Sequence, residues 1–159
     1  MEQTNKAVTG AVVAFAKDLE WFDTMPGEQM TIRIHSNQVG GAITVIEARV
    51  PALIGPPKHI HQEREEIFEI LEGTFRFQLG DEEFEAPPGT SVVVPRGVPH
   101  TWANVGSNRG RILFTFVPGG IDDFFPEIGR HSMEEIGRLA EQNDTLIIGP
   151  PMFSTPVNI

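Results

Sequence analysis

Two histidines one residue apart, His59 and His61, stand in the stretch Gly55-Pro-Pro-Lys-His-Ile-His-Gln-Glu-Arg-Glu-Glu66. Side chains alternate along a strand, so an H-x-H pair puts both imidazoles on one face. A third imidazole, His100, follows well downstream, and Glu63, Glu65, Glu66, Glu69 and Glu72 crowd the interval. Neutral imidazole nitrogens and a carboxylate oxygen are borderline donors that suit first-row divalent metals. Three imidazoles and one carboxylate close a cage and still leave an octahedral ion open positions for water, substrate or dioxygen. The chain has no cysteine, which excludes disulfides and thiolate ligands; a closed structural zinc site would normally use Cys, so the pattern points to a functional site. Spacing alone leaves the carboxylate undecided. Glu72 precedes Gly73 and reads most simply as a solvated charge, and Glu63-Arg64-Glu65-Glu66 also has the composition of an exposed face.

These side chains need strands and tight turns to bring them together, and the middle of the chain supplies both. Met30 to His35 alternates, with Ile32 and Ile34 on one face and Arg33 and His35 on the other, which makes His35 an exposed strand residue. Gly40-Gly41 is a turn, and Ala42 to Val50 is rich in β-branched residues. Glu66 to Leu71 and Thr74 to Leu79 form a hairpin about Gly73, followed by Glu83 to Ala86. Ser91 to Val94 reads as a buried strand, Pro95-Arg96-Gly97 as a turn with a solvated Arg96, and Arg111 to Val117 as the last long strand. After Pro118 the character changes. Ile121 to Ile128 suggests a short helix, and Ser132-Met-Glu-Glu135 is a capping box opening a helix from about Met133 to Gln142. His131, just before that cap, reads as structural. Leu146 to Pro151 is a short apolar segment expected to pack on the barrel or on a partner subunit. Ala7 to Ala16 is small and apolar but follows a segment carrying both Glu2 and Lys6, so a strand is expected there rather than a signal peptide.

The turns and ligands together spell two longer motifs. The first is G-x(3)-H-x-H-x(4)-E-x(6)-G, from Gly55 to Gly73. The second is G-x(5)-P-x-G-x(2)-H-x(3)-N, from Gly89 through Pro95, Gly97 and His100 to Asn104. On these residues the chain resembles the cupin superfamily of small, often metal-binding β-barrels. The resemblance implies an all-β fold: a cupin double-stranded β-helix (jelly-roll barrel) with a short C-terminal helical tail. It implies a single domain over 1–159, with an N-terminal arm at 1–29, the barrel at about 30–118 and the tail at about 119–159. It also selects Glu66, so that His59, His61, Glu66 and His100 hold one divalent transition metal, whether Fe, Ni, Mn, Co, Cu or Zn. Residues 62–65 must then turn and reset the alternation, so that Phe68 and Ile70 face inward with Glu66. The tail is similar to that of small quercetin-dioxygenase-like cupins.

By the same parity Phe68, Ile70, Phe77, Trp102 and Phe114 are candidates for the wall of a substrate pocket, with Phe75, Ile112 and Phe116 further apolar neighbours. The sequence holds no Ser-His-Asp pattern, phosphate-binding loop or dinucleotide fingerprint, so the metal must carry the chemistry. The expected activity is that of a dioxygenase-like oxidoreductase acting on a small aromatic or enolisable substrate, with Glu66 doubling as a catalytic base. The alternatives are non-oxidative isomerase, decarboxylase or lyase chemistry, or a non-catalytic binding module for a small molecule. A formal net charge of −10 and the lack of a basic stripe disfavour nucleic acid. No apolar run is long enough to span a membrane, and the lack of cysteine suits the cytoplasm. A homodimer is expected, with the apolar arm Ala11 to Phe15 adding to a neighbour's sheet.

Overall fold

The computed structural model describes residues 10–153. Its strands are β1 (Phe22–Asp23), β2 (Gln29–Ile34), β3 (Thr44–Val50), β4 (Pro57–Ile60), β5 (Glu65–Glu72), β6 (Phe75–Leu79), β7 (Glu82–Ala86), β8 (Ser91–Val94), β9 (His100–Asn104) and β10 (Gly110–Val117). They are followed by a 3-10 segment over Asp122–Arg130, helix α1 (Met133–Gln142) and a last strand, β11 (Leu146–Pro151). Two antiparallel sheets face each other, in the orders β1-β2-β3-β10-β5-β8 and β11-β4-β9-β6-β7. This is a jelly-roll barrel, the fold that the resemblance implies.

Alternation decides what lies between the sheets. Along β5, Glu66, Phe68 and Ile70 are buried while Glu65, Ile67 and Glu69 are not, as a turn over residues 62–65 requires. Along β10, Ile112, Phe114 and Phe116 face in. Phe68, Phe75, Phe77, Ile46 and Ile112 are fully enclosed and knit the sheets together; deleting any of the phenylalanine rings would cost roughly 3–5 kcal/mol.

The motif residues that are not ligands build this frame. A Cβ at Gly55 would lie 1.8 Å from the carbonyl oxygen of Trp102, so only glycine lets the chain pass β9 before turning into the histidines. Gly97 sits at φ +79 and donates its N–H to the carbonyl of His61 at 2.8 Å, tying the second motif to the first. The Asn104 amide donates to the carbonyls of Val50 and Asn108, and its Oδ1 accepts from Gly106 N–H, so it closes a turn at the barrel end.

Several local expectations are corrected. Of the expected strand at Ala7 to Ala16, residues 1–9 lie outside the described part. Ala11 makes one isolated bridge, and Ala16–Asp18 is a 3-10 turn with no buried residue. This segment finds no full-length neighbour to pair with among the described residues. Ser91 to Val94 is half-exposed, with Val93 56% accessible, because β8 is the edge of its sheet. His35 lies just past β2 and caps a 3-10 turn. The short helix expected over Ile121 to Ile128 is present as a 3-10 helix over Asp122–Arg130, and it contains Pro126, which has no N–H to donate. Helix α1 begins at Met133 with the expected reciprocal Ser132–Glu135 capping box, and His131 pairs with Glu127 and Glu135 beside it. Leu146 to Pro151, legible only as an apolar segment, adds to β4 as a strand.

Candidate metal centre

His59 comes from β4, His61 from the residue just beyond it, Glu66 from β5 in the facing sheet and His100 from the start of β9. Antiparallel register sets His59 against His100. One ligand atom from each of the four residues lies within 4.8 Å of all the others, and all four side chains are buried.

The three rings are aimed from behind. His59 Nδ1 meets the Pro57 carbonyl at 2.8 Å, His61 Nδ1 the Asp144 carbonyl at 2.8 Å, and His100 Nδ1 the Val98 carbonyl at 2.9 Å. A carbonyl only accepts, so in each case Nδ1 carries the proton and a neutral ring presents its Nε2 lone pair to the centre. Nε2 of His100 lies 2.9 Å from Glu66 Oε2, and Nε2 of His61 lies 3.2 Å from the same oxygen. The His61 contact has the length of a hydrogen bond but not its direction, and Nε2 is left buried without a partner. Lone pairs converging on one carboxylate oxygen in a buried space need a proton or a cation among them. The donor set therefore fits a divalent transition metal.

The electrostatics agree. Burial, helped by the neighbouring His100 and His61, pushes the His59 pKa down to about 3, which keeps that ring a neutral donor. Burial also opposes the charged form of His61, but the Glu66 carboxylate outweighs it and raises that pKa. Burial opposes ionisation of Glu66 as well, yet positive charge held between it and the Nε2 atoms of His100 and His61 keeps the carboxyl well below its usual range. Glu66 is thus the anion of the cage.

The cage forms one end of an apolar cavity lined by Met30, Trp102, Phe114, Phe116, Phe125 and Ile136, among others. Trp102 and Phe114, both pocket candidates, are among its lining residues. Phe68, Ile70 and Phe77 do not line this cavity; they are barrel core. Parity fixes the side a residue faces but not where the open space lies: Met30, in the same row as Ile70, lines the cavity from β2, and Ile70 does not. The space beside the cage is walled instead by the 3-10 segment and α1, which supply Phe124, Phe125, Ile128, Met133 and Ile136. Of the other polar candidates, Glu72 pairs with Arg111, Arg96 with Glu65 and Glu69 with Ser91, all on the outside.

Two features of the site escaped the sequence. Asp144, at φ +50, gives its carbonyl to His61 while its carboxylate accepts from the backbone N–H groups of Gln62 and Glu63 and from Arg64. It holds the turn between two ligands. The Asn143-Asp144 pair at the helix end, two residue types that tolerate the left-handed region, was the available signal. Glu28 lines the cavity and is buried; its parity with Met30 and Ile32 was the signal there.

Comparison with known proteins agrees with this geometry. The family model described as a cupin domain matches residues 49–116. An uncharacterized protein of Methanocaldococcus jannaschii is 32% identical over 96 residues, covering 60% of this chain and 77% of that protein. Among solved structures, KdgF from Halomonas sp. superposes with a TM-score of 0.63 at 20% identity, over 70% of this chain and 98% of that one. Pac13 from Streptomyces, a nucleoside dehydratase, gives 0.59 at 16% identity, over 87% and 91%. A polyketide cyclase from Streptomyces resistomycificus and a predicted oxalate decarboxylase from Thermotoga maritima share the same fold at similarly low identity. The chain belongs to the cupin superfamily, and it carries a buried cluster of three histidines and one glutamate suited to a single metal.

Proposed function

We propose that this cupin is a metal-dependent enzyme for a small aromatic or enolisable molecule, with dioxygenase-type oxidation as its reaction. The observation that carries the reading is the position of the cage: three Nε2 lone pairs and one carboxylate converge at the end of an apolar cavity. Bound there, a divalent transition metal would act as a Lewis acid toward a carbonyl or enolate oxygen and, if redox-active, would link the substrate's electrons to dioxygen. The chain's own residues do the rest. Pro57, Asp144 and Val98 carbonyls fix the rings, Glu66 supplies the compensating charge, and Trp102, Phe114, Phe116 and Phe125 hold a flat apolar substrate and exclude water. Glu66 would also receive a substrate proton where it leaves the cage.

The second reading is non-oxidative isomerase, decarboxylase or lyase chemistry on the same centre. The names of the structural neighbours favour it, since they include a dehydratase, a cyclase and a predicted oxalate decarboxylase. Assay of the metal-loaded protein against enolisable and catechol-type compounds, in air and under argon, separates the two. Product formed only with stoichiometric dioxygen uptake supports the first reading; turnover that persists under argon supports the second. Tight binding without turnover in either atmosphere would make the protein a binding module.

Homodimer formation is part of the same proposal. Phe15 in the N-terminal arm is 56% exposed, and Leu146, Ile147 and Ile148 on the edge strand β11 are also open. Light scattering at micromolar concentration should give twice the mass of one 17.6 kDa chain; the mass of one chain would refute it.

A further inference from the structure

Glu28 closes the hairpin between β1 and β2. Its N–H donates to the Met25 carbonyl at 2.9 Å and its carbonyl accepts from Thr24 N–H at 3.1 Å. Those backbone bonds would make the turn with any side chain. The carboxyl, however, is turned inward, on the parity of Met30, and it lines the cavity with only 2% of the residue exposed. Thr24 Oγ1 donates to its Oε1 at 2.6 Å. No lysine, arginine or histidine pairs with it among the described residues. The titratable groups lining the cavity are Glu28, His59, His61 and Glu66; the side chains facing it from the 3-10 segment, α1, β9 and β10 are Phe124, Phe125, Ile128, Met133, Ile136, Trp102, Phe114 and Phe116, none of them charged.

Register places this carboxyl far from the cage. Glu66 lies in a row with Phe116 and Thr44. Met30 lies in the row of Ala48, Ile112 and Ile70, four residues farther along β5, roughly 13 Å at ~3.3 Å per residue. Glu28 lies two residues beyond Met30. The cavity thus has a polar group at each end and an aromatic passage past Trp102 and Phe114 between them. Burial raises the Glu28 pKa to about 7, against the smaller opposing effects of Thr24 and the Met25 backbone, so near neutrality a partner decides whether it is charged.

We propose that Glu28 is the distal recognition site of the cavity and binds the protonated amine of an elongated ligand whose chelating oxygens meet the His59–His61–Glu66–His100 cage. An amine fits better than a hydroxyl because only a cation cancels the charge of a carboxylate enclosed in apolar walls. The overall charge of −10 draws cations toward the protein in the same sense. The proposal rests on the reading of the cage as a metal centre that binds substrate oxygens.

The test uses calorimetry under argon on the metal-loaded protein with two probes long enough to reach from the cage toward Glu28 that differ at one end, 4-(6-aminohexyl)catechol and 4-hexylcatechol. At pH 8 the wild type should bind the amine at least about tenfold more tightly, and Glu28→Gln should bind the two alike while keeping the affinity for 4-hexylcatechol. Glu28→Asp, which keeps the charge but withdraws it, should retain a reduced preference and guards against a folding defect in the first variant. Equal affinities in the wild type, or a preference undiminished in the variants, would overturn the distal site and leave the metal-centred reading standing. Failure of both catechols to bind the wild type would overturn that reading and this proposal with it.

Discussion

Glu66 and Glu28 are carboxylates buried along the same cavity, and they differ in what surrounds the buried charge. Glu66 sits against the Nε2 atoms of His61 and His100, and the positive charge held among them overcomes the cost of burial. Glu28 has one hydroxyl donor and apolar walls, so burial dominates and its pKa rises to about 7. One fold thus keeps one acid ionised and leaves the other on the edge of ionisation. Environment, not residue type, assigns the roles: an obligate anion suits a metal cage, and a responsive acid suits recognition of a ligand's end group.

Substitution by glutamine should separate the two most sharply. Glu66→Gln is expected to lower metal affinity at least a hundredfold, whereas Glu28→Gln should leave it within about twofold. Competition titration with a chelator measures both, and equal losses would erase the distinction.

The support behind the cage comes next. Asp144→Ala removes the carboxylate that gathers Gln62, Glu63 and Arg64 and disfavours the positive φ that aims its carbonyl at His61. Metal affinity should fall about tenfold to a hundredfold, less than for loss of a ligand, and Asp144→Asn should recover part of it. An unchanged affinity in Asp144→Ala would show that His61 needs no such brace.

Protons should compete at the cage as well. The raised pKa of His61 favours its protonation as the pH falls, while burial keeps His59 neutral down to about 3. Metal affinity should therefore weaken at least about tenfold between pH 8 and pH 5. A flat profile would contradict ligation by His61.

Glu28 gives the opposite probe, stability without metal. Its pKa rises from 4.5 in the unfolded chain to about 7 in the fold, so the contribution is fully present below 4.5 and is lost as pH rises through 7. Glu28→Gln should remove that dependence and gain up to roughly 3 kcal/mol relative to the wild type between pH 4.5 and pH 8. Urea unfolding at the two pH values checks it, and parallel pH dependences would show that Glu28 titrates in the ordinary carboxylate range.

The contrast between these residues also marks how much of the molecule was legible in the chain. Glu66 was selected among its neighbouring carboxylates only by the resemblance to the cupin motif, but the three imidazoles could be read because each is fixed by something local: the H-x-H alternation and the Pro95–Gly97 turn before His100. The barrel could be read for the same reason, since its strands alternate and its turns carry Gly and Pro. The position of the open space could not be read: Phe68, Ile70 and Phe77 face between the sheets and still miss the cavity, while Met30, in the row of Ile70, lines it from β2. Nor could β11, whose Leu146, Ile147 and Ile148 are exposed and whose pairing with β4 depends on where α1 ends. Glu28 was hidden because Met25-Pro-Gly-Glu28 has the composition of an ordinary solvated turn, which masked its parity with Met30 and Ile32.

Metal analysis of the purified protein, beside His61→Ala and His100→Ala, tests the metal centre most directly. The wild type should carry one transition-metal ion per chain, and each variant should lose it while keeping the β-sheet circular dichroism of the fold. Wild-type protein that takes up no metal at neutral pH, or variants that retain it at full stoichiometry, would contradict the assignment.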